Sequence, residues 1–340
     1  MTVGEDFASR TGRFRGELLA HCYRMLGSAE EAEDLVQETY LRAWRSFEGF
    51  EGRSSVRTWL YRIATNVCLT AIERRGRRPL PSGLGAPADD PGAGLVAGPE
   101  VTWLQPLPDG LVAGAGADPA VVAASRAGVR LAFVAALQYL PARQRAVLIL
   151  RDVLELPAAE VAGLLGMTTT AVNSGLRRAR AQLAAALPAE EALAEPAEPA
   201  RRVLLERFAA AVENADASAL AELLTADVAL EMPPVLTWFA GRQAVAGFFA
   251  AQPFVGPGRL RLVPVTANGQ PSFASYVRDP GGTGQAHAIT VPTLTTQGIA
   301  RIVTFRDPGL FKLFGLPPVL RADAARPTPA QDPAGTRWPG

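Results

Sequence analysis

Apolar positions recur at helical spacing through most of the first 190 residues and change period afterwards. Residues 7–78 read as helical throughout. Within them, Gly27 and Ser28 precede a run loaded with Glu30, Glu31, Glu33 and Asp34. This is the pattern of a capped helix N-terminus, where the macrodipole favours anions. Val36, Tyr40, Trp44 and Phe47 then follow at helical spacing, and residues 49–55 interrupt them. A second helix puts Leu60, Ile63, Ala64, Val67 and Ala71 on one face and stops at Gly76 and Pro79. Residues 79–119 are rich in Gly and Pro and have no apolar period, so they read as a linker. The exception is an apolar island at 101–109 containing Trp103, Leu104 and Leu107, expected to dock on a neighbouring domain. Helical character returns over 120–187, with helices predicted at 142–154, 160–165 and 169–187. A Gly166 turn separates the last two, as in a helix-turn-helix.

An acidic, Pro-containing stretch at 188–199 precedes a section of different character. Helices are predicted at 201–214, 217–224 and 242–252. Strands are predicted at 228–232, 259–266, 272–278, 285–294 and 298–305. Helices followed by a run of strands predict an α+β domain over 201–317. The Pro-rich residues 318–340 read as a disordered tail.

Charge sharpens this picture. The net charge is only +1, yet residues 53–78 hold seven Arg against Glu73 alone. Residues 121–187 hold eight Arg against Asp152, Glu155 and Glu160, and 188–199 hold four acids and no base. Two basic blocks point to two anionic contacts, for which DNA is the simplest polyanion; solvated helix faces are the alternative. Cys22 and Cys68 form no disulfide framework, and no Cys/His cluster has zinc spacing. Neither a cofactor nor a metal is expected. Without a signal pattern or a span of about 18 apolar residues, the chain is expected to be cytoplasmic with no membrane contact.

In the helix-turn-helix, Val172, Leu176, Ala179 and Leu183 form the expected buried face. Thr169, Thr170, Asn173, Ser174, Arg177, Arg178 and Arg180 are left to meet base edges and phosphates. An ordinary amphipathic hairpin would share this pattern. The N-terminal block is more specific. Residues 34–44, carrying Asp34, Leu35, Gln37, Glu38, Arg42 and Trp44, resemble the polymerase-binding helix of extracytoplasmic-function (ECF) sigma factors. Residues 57–66, carrying Arg57, Trp59, Tyr61, Arg62 and Asn66, resemble their promoter-melting segment. Leu140, Pro141, Ala142, Arg143, Gln144, Arg145, Ala146 and Val147 resemble the start of their region 4.

This resemblance implies two all-α sigma domains, a helical bundle over 7–79 and a helix-turn-helix domain over 120–187. It implies core RNA polymerase and promoter DNA as partners, with polymerase meeting Asp34, Leu35, Gln37, Glu38 and Arg42. The minus-ten element would meet Arg57, Trp59, Tyr61, Arg62, Asn66, Arg74, Arg75, Arg77 and Arg78, and the minus-thirty-five element the polar face of 169–180. Melting needs exposed rings, amide donors and guanidinium groups to hold unstacked bases and their phosphates. Trp59 and Tyr61 are two apart and cannot share a helix face, so one of them is expected in the core. Many ECF factors carry Arg at the positions of Asn173 and Gly175, so their minus-thirty-five specificity does not transfer.

Residues 201–317 resemble the SnoaL-like, ketosteroid-isomerase-like α+β cone. The carriers are the segments around Asp227, Trp238 to Arg242, and Asp307 to Phe311. The resemblance implies a subgroup of ECF factors in which this cone regulates the sigma core and offers a site for a small-molecule ligand. Asp227, Glu231 and His287 are the titratable candidates for catalysis, but no nucleophile–base–orienter set is visible and no enzyme activity is expected. The alternative function is a ligand-sensing helix-turn-helix regulator that does not act as a sigma subunit.

Overall fold

The computed structural model describes residues 3–52, 54–92, 94–112, 128–187, 194–251 and 256–321. The chain divides into two compact units that interleave in sequence: Met1–Arg78 with Leu107–Leu187, and Pro79–Pro106 with Pro188–Gly340.

The first unit is all-α. Its N-terminal helices are α1 (Val3–Thr11), α2 (Arg15–Leu26), α3 (Ala29–Ser46) and α4 (Val56–Arg75). Ser28 caps α3 by accepting the Glu31 N–H at 3.2 Å, and Ser55 caps α4 by accepting the Thr58 N–H at 3.0 Å. Helix α2 is buried all round from Leu18 to Leu26, so it forms the axis of the bundle. On α3 the buried seam is Ala29, Ala32, Val36, Thr39 and Ala43; of the expected stripe, Val36 and Phe47 are buried, Tyr40 is half-buried and Trp44 is 43% exposed. Small residues there let α2 and α3 approach closely. The rest of the unit is α5 (Asp109–Val112), α6 (Leu131–Leu137), α7 (Ala142–Leu148), α8 (Ala158–Leu165) and α9 (Thr169–Ala186). The predicted helix 142–154 runs on from α7 only as a π-turn, Ile149–Val153. Gly166 ends α8 at φ 62°, a left-handed conformation that suits glycine, and Thr168 caps α9 on the Ala171 N–H. Val172, Leu176 and Ala179 are buried as expected, while Leu183 is half-buried.

The second unit carries a seven-stranded sheet, β1 (Leu224–Glu231), β2 (Trp238–Ala240), β3 (Leu260–Ala267), β4 (Gln270–Arg278), β5 (Gly284–Thr295), β6 (Gly298–Phe305) and β7 (Val319–Leu320). The order is β2-β1-β6-β5-β4-β3, with β7 on β5. Strand β1 starts four residues before the predicted 228. The expected disordered tail begins with a paired strand, because Val319 and Leu320 register against Gln285 and Gly284; residues 322–340 lie outside the described ones. Helices α10 (Glu198–Glu213), α11 (Ala217–Leu223) and α12 (Arg242–Ala251) accompany the sheet. Phe208, Val245, Phe248, Phe239, Phe273 and Ile302 are among its core residues. Helix α10 begins inside the acidic stretch, with Glu198 in its first turn and Pro at N1/N2, where proline is tolerated. Residues 188–193 of that stretch lie outside the described ones.

The linker forms a strap along the cone. Gly98 N–H donates to Pro234 O at 2.8 Å, Leu236 N–H to Val96 O at 2.7 Å and Ala88 N–H to Trp238 O at 2.8 Å. The Trp238 indole donates to Gly85 O at 2.9 Å, and Val96 N–H to Thr237 Oγ1 at 2.9 Å. Ala88 and Leu95 pack on the core cluster. The 101–109 island is divided. Trp103 donates to Gly98 O at 3.1 Å on the strap side, whereas Leu107 and Asp109 are buried in the first unit, where α5 packs on α2.

Candidate nucleic-acid and polymerase interface

Helix α3 turns one side to solvent. Asp34, Gln37 and Arg42 are exposed, Leu35 and Glu38 half-buried, and Glu38 accepts from Arg42 Nε at 2.6 Å. Leu41, 51% exposed, lies on the same side one turn beyond Gln37 and Glu38. An uncovered leucine among acids is a signal that helical periodicity alone had not separated from the bundle stripe. Trp44 stays partly exposed while edging Phe7 at 5.3 Å.

Helix α4 resolves the aromatic pair. Trp59 is half-buried and stacks at a tilt on Phe50, 4.8 Å between centroids. Tyr61 is 1% exposed, donates to Glu17 Oε2 at 3.1 Å and meets the His21 edge. Burial pushes its hydroxyl pKa up, followed by the Glu17 charge. Tyr61 is therefore a core residue, and the expectation that it touches promoter DNA is corrected. Arg78 is 8% exposed and reaches Glu31 at 2.7 Å, where Arg75 also pairs. Arg57 is held by Glu17 at 2.7 Å. Arg180 is bound bidentately by Asp152 at 2.8 and 2.7 Å. Among the described residues of α4 and α9, the arginines that remain exposed without an ion pair are Arg62, Arg74, Arg177 and Arg178. Asn66, Thr169, Thr170 and Asn173 are also exposed, and Ser174 is half-buried.

The two helical halves are packed together. Thr58 Oγ1 donates to Glu160 Oε1 at 2.5 Å, joining α4 to the first helix of the helix-turn-helix. Arg77, expected on DNA, lies over the Tyr139 ring at 5.2 Å. Arg24, 2% exposed, donates to Gly128 O at 2.8 Å. Arg145, 2% exposed, reaches Met25 O and also binds Gln138 Oε1 at 2.8 Å and Leu140 O at 3.2 Å. Burial lowers both pKa values to about 10, which leaves both groups charged at neutral pH. These buried guanidinium groups are satisfied mainly by carbonyls, so the seam depends on geometry more than on charge pairing.

In the cone, the three titratable candidates separate. Asp227 is exposed and accepts from Thr225 at 2.8 Å. Glu231 is fully buried, accepts the Ser82 N–H of the strap at 2.8 Å and pairs with Arg301. Only His287 lines the cavity, together with Phe208, Leu230, Phe248, Ile302 and Arg306. Its pKa is lowered, first by burial and then by Arg306, so it is neutral at pH 7. No helix among the described residues is long and apolar enough to cross a membrane, and no His/Cys/Asp/Glu group among them could hold a metal ion.

Known proteins match along the same divisions. Sigma-70 region 2 matches residues 12–78, Sigma-70 region 4 matches 130–183, and a SnoaL-like domain matches 205–307. The ECF RNA polymerase sigma factor SigG of Mycobacterium tuberculosis is 51% identical over 317 residues, covering 92% of this chain and 84% of that protein. The probable ECF sigma factor SigI of the same organism is 28% identical over 273 residues, 77% of this chain and 82% of that protein. The crystal structure of the M. tuberculosis extracytoplasmic function sigma factor SigJ shares the fold, with a TM-score of 0.59 at 23% identity, covering 93% of this chain and all of that one. The chain accordingly belongs to the ECF sigma factors of RNA polymerase, with a SnoaL-like domain following its two sigma regions.

Proposed function

We propose that the arrangement described above is a closed state of a promoter-directing sigma subunit. In this reading core polymerase engages α3 through Asp34, Leu35, Gln37, Glu38, Leu41 and Arg42. Trp59, Arg62, Asn66 and Arg74 take the minus-ten region, and Arg57, Arg75 and Arg77 join them once their present partners release. Thr169, Thr170, Asn173, Ser174, Arg177 and Arg178 take the minus-thirty-five region, with Arg180 joining on release from Asp152. The chain acts where its polymerase and promoter are, in the cytoplasm.

The observation that carries the closed-state reading is the direct contact of α4 with the helix-turn-helix through Thr58 and Glu160. Two elements named for positions ten and thirty-five are about 25 base pairs apart, roughly 85 Å along B-form DNA at 3.4 Å per step. Helices in hydrogen-bond contact do not span that. Opening therefore precedes or accompanies promoter engagement. The strap supplies the regulatory coupling: the chain between the two sigma regions is hydrogen-bonded to the cone, which limits how far it pays out.

Run-off transcription with core polymerase tests both parts. Full chain, Asp34→Ala/Glu38→Ala and a chain ending at residue 187 are compared on genomic promoter fragments at two salt concentrations, because phosphate contacts are screened. Core-dependent transcripts that weaken at least several-fold in the double variant are expected. Release of the strap on truncation is expected to change transcript yield. Transcription indifferent to the double variant would refute the α3 assignment, and equal yields across the truncation would refute the coupling.

A further inference from the structure

The cavity of the cone has a polarity of its own. Its volume is about 100 Å³. Phe208, Phe248, Phe249 and Ile302 make most of its wall apolar. The polar groups in its lining are Ser275 on β4, His287 and Thr290 on β5, Thr304 on β6 and Arg306 just beyond β6, and they gather at one end.

The sequence spends a backbone irregularity on this end. Ser275 pairs with Ala288 and Tyr276 with Ala286, which leaves His287 as the extra residue of a β-bulge. A bulge re-aims a side chain that strict alternation would send to the other face, and here the imidazole lines the cavity. Thr290 and Thr304 share one hydrogen bond at 3.2 Å, so one hydroxyl proton of the pair remains to be given. Arg306 is half-buried and has no ion pair among the described residues. Its neighbour Asp307 is committed elsewhere, accepting the Gly309 N–H at 2.8 Å. Among the described residues, none that lines the cavity is acidic.

From this geometry we infer that the cone binds a small apolar carboxylate, its hydrocarbon part against the phenylalanines and its carboxylate at Arg306, with the Thr290–Thr304 pair and His287 as further hydrogen-bonding groups. A single guanidinium beside donors suits a monoanion, because charge-assisted bonds are the strong ones where water is scarce. The neutral imidazole donates or accepts without adding a second charge. The binding site stands independently of how the sigma regions open.

Calorimetric titration of the full chain with sodium benzoate and with benzyl alcohol, its neutral near-isostere, tests the assignment. Benzoate is expected to bind about tenfold more tightly than the alcohol. Arg306→Gln, checked for an unchanged melting curve, is expected to bring that ratio close to one. Thr304→Val is expected to weaken benzoate with a smaller loss of preference. In methyl NMR, the Ile302 resonance is expected to shift with benzoate. Failure of both probes to bind, equal binding of the two, a preference that survives Arg306→Gln, or binding that leaves Ile302 unmoved would each overturn it. None of these readouts involves polymerase, so their failure is separate from failure of the closed-state reading.

Discussion

If the contact between α4 and the helix-turn-helix holds the closed state, weakening it should increase promoter engagement. Thr58→Val keeps the side-chain shape and removes the donor to Glu160 Oε1 at 2.5 Å. Hydrogen bonds to charged groups contribute about 1.5–3 kcal/mol. Thr58 and Glu160 are not fully buried, so about 1–1.5 kcal/mol is a reasonable share after solvent competition. With the open form in the minority, that loss raises its population about five- to twelvefold. The apparent affinity for any partner that binds only the open form rises by the same factor. Single-molecule energy transfer between dyes at Thr70→Cys on α4 and Ala185→Cys on α9, both exposed sites, reads the population directly. The native Cys22 and Cys68 are buried. A parallel titration against core polymerase and a promoter fragment reads the affinity. Unchanged transfer efficiency, or weaker promoter binding by a correctly folded Thr58→Val chain, would refute the reasoning.

Two other predictions concern stability. Glu231→Gln keeps an acceptor for the Ser82 N–H but breaks the buried pair with Arg301. At about 3 kcal/mol for a broken buried pair, and roughly 2–4 °C per kcal/mol for a unit of this size, the cone should melt about 6–12 °C lower in calorimetry. Strap amides at Ala88, Val96 and Gly98 should exchange faster. His21 is completely buried, its Nδ1 has no hydrogen-bond partner among the described residues, and burial followed by the Arg24 charge lowers its pKa to about 3. Its folded pKa lies below the unfolded value of 6.5, so the stability it contributes is present above about pH 6.5. That contribution is lost as pH falls towards 3, at up to roughly 1.4 kcal/mol per pH unit. Urea melts of the wild type and His21→Gln between pH 7 and 4 should converge on acidification, and parallel pH dependences would contradict this.

The helical halves were legible in the chain because their signals are local. Capping serines before acidic or polar turns, and a glycine that ends α8 in a left-handed conformation, need no tertiary information. Strand β1 was read four residues short, since Leu224 to Asp227 is as compatible with a helix end as with a strand until β6 pairs beside it. Residue type could not say which of Trp59 and Tyr61 is the core member, and Arg78 looked like a surface group; what buries Tyr61 and Arg78 is the distant Glu17 and the acid-rich start of α3. The strap was invisible for the same reason. Its bonds join residues such as Ser82 and Glu231, 149 positions apart, and use backbone groups that carry no side-chain signature. His287 reached the cavity through a bulge, and a one-residue slip in register cannot be read from alternation alone.

The interleaving of the two units also sets an order in time. The strap is synthesised before the second sigma region, and the strands that receive it come after. At about 5–20 residues per second, the stretch from Leu187 to Leu320 emerges roughly 7–27 s after the helix-turn-helix is complete. Through that interval a nascent chain carries both DNA-reading regions with the strap unmatched. Ala88 and Leu95, later packed on the cone's core, then have no core to meet. In the closed-state proposal, the strap thus meets its cone only after both sigma regions have been made, so any restraint it exerts begins late in synthesis.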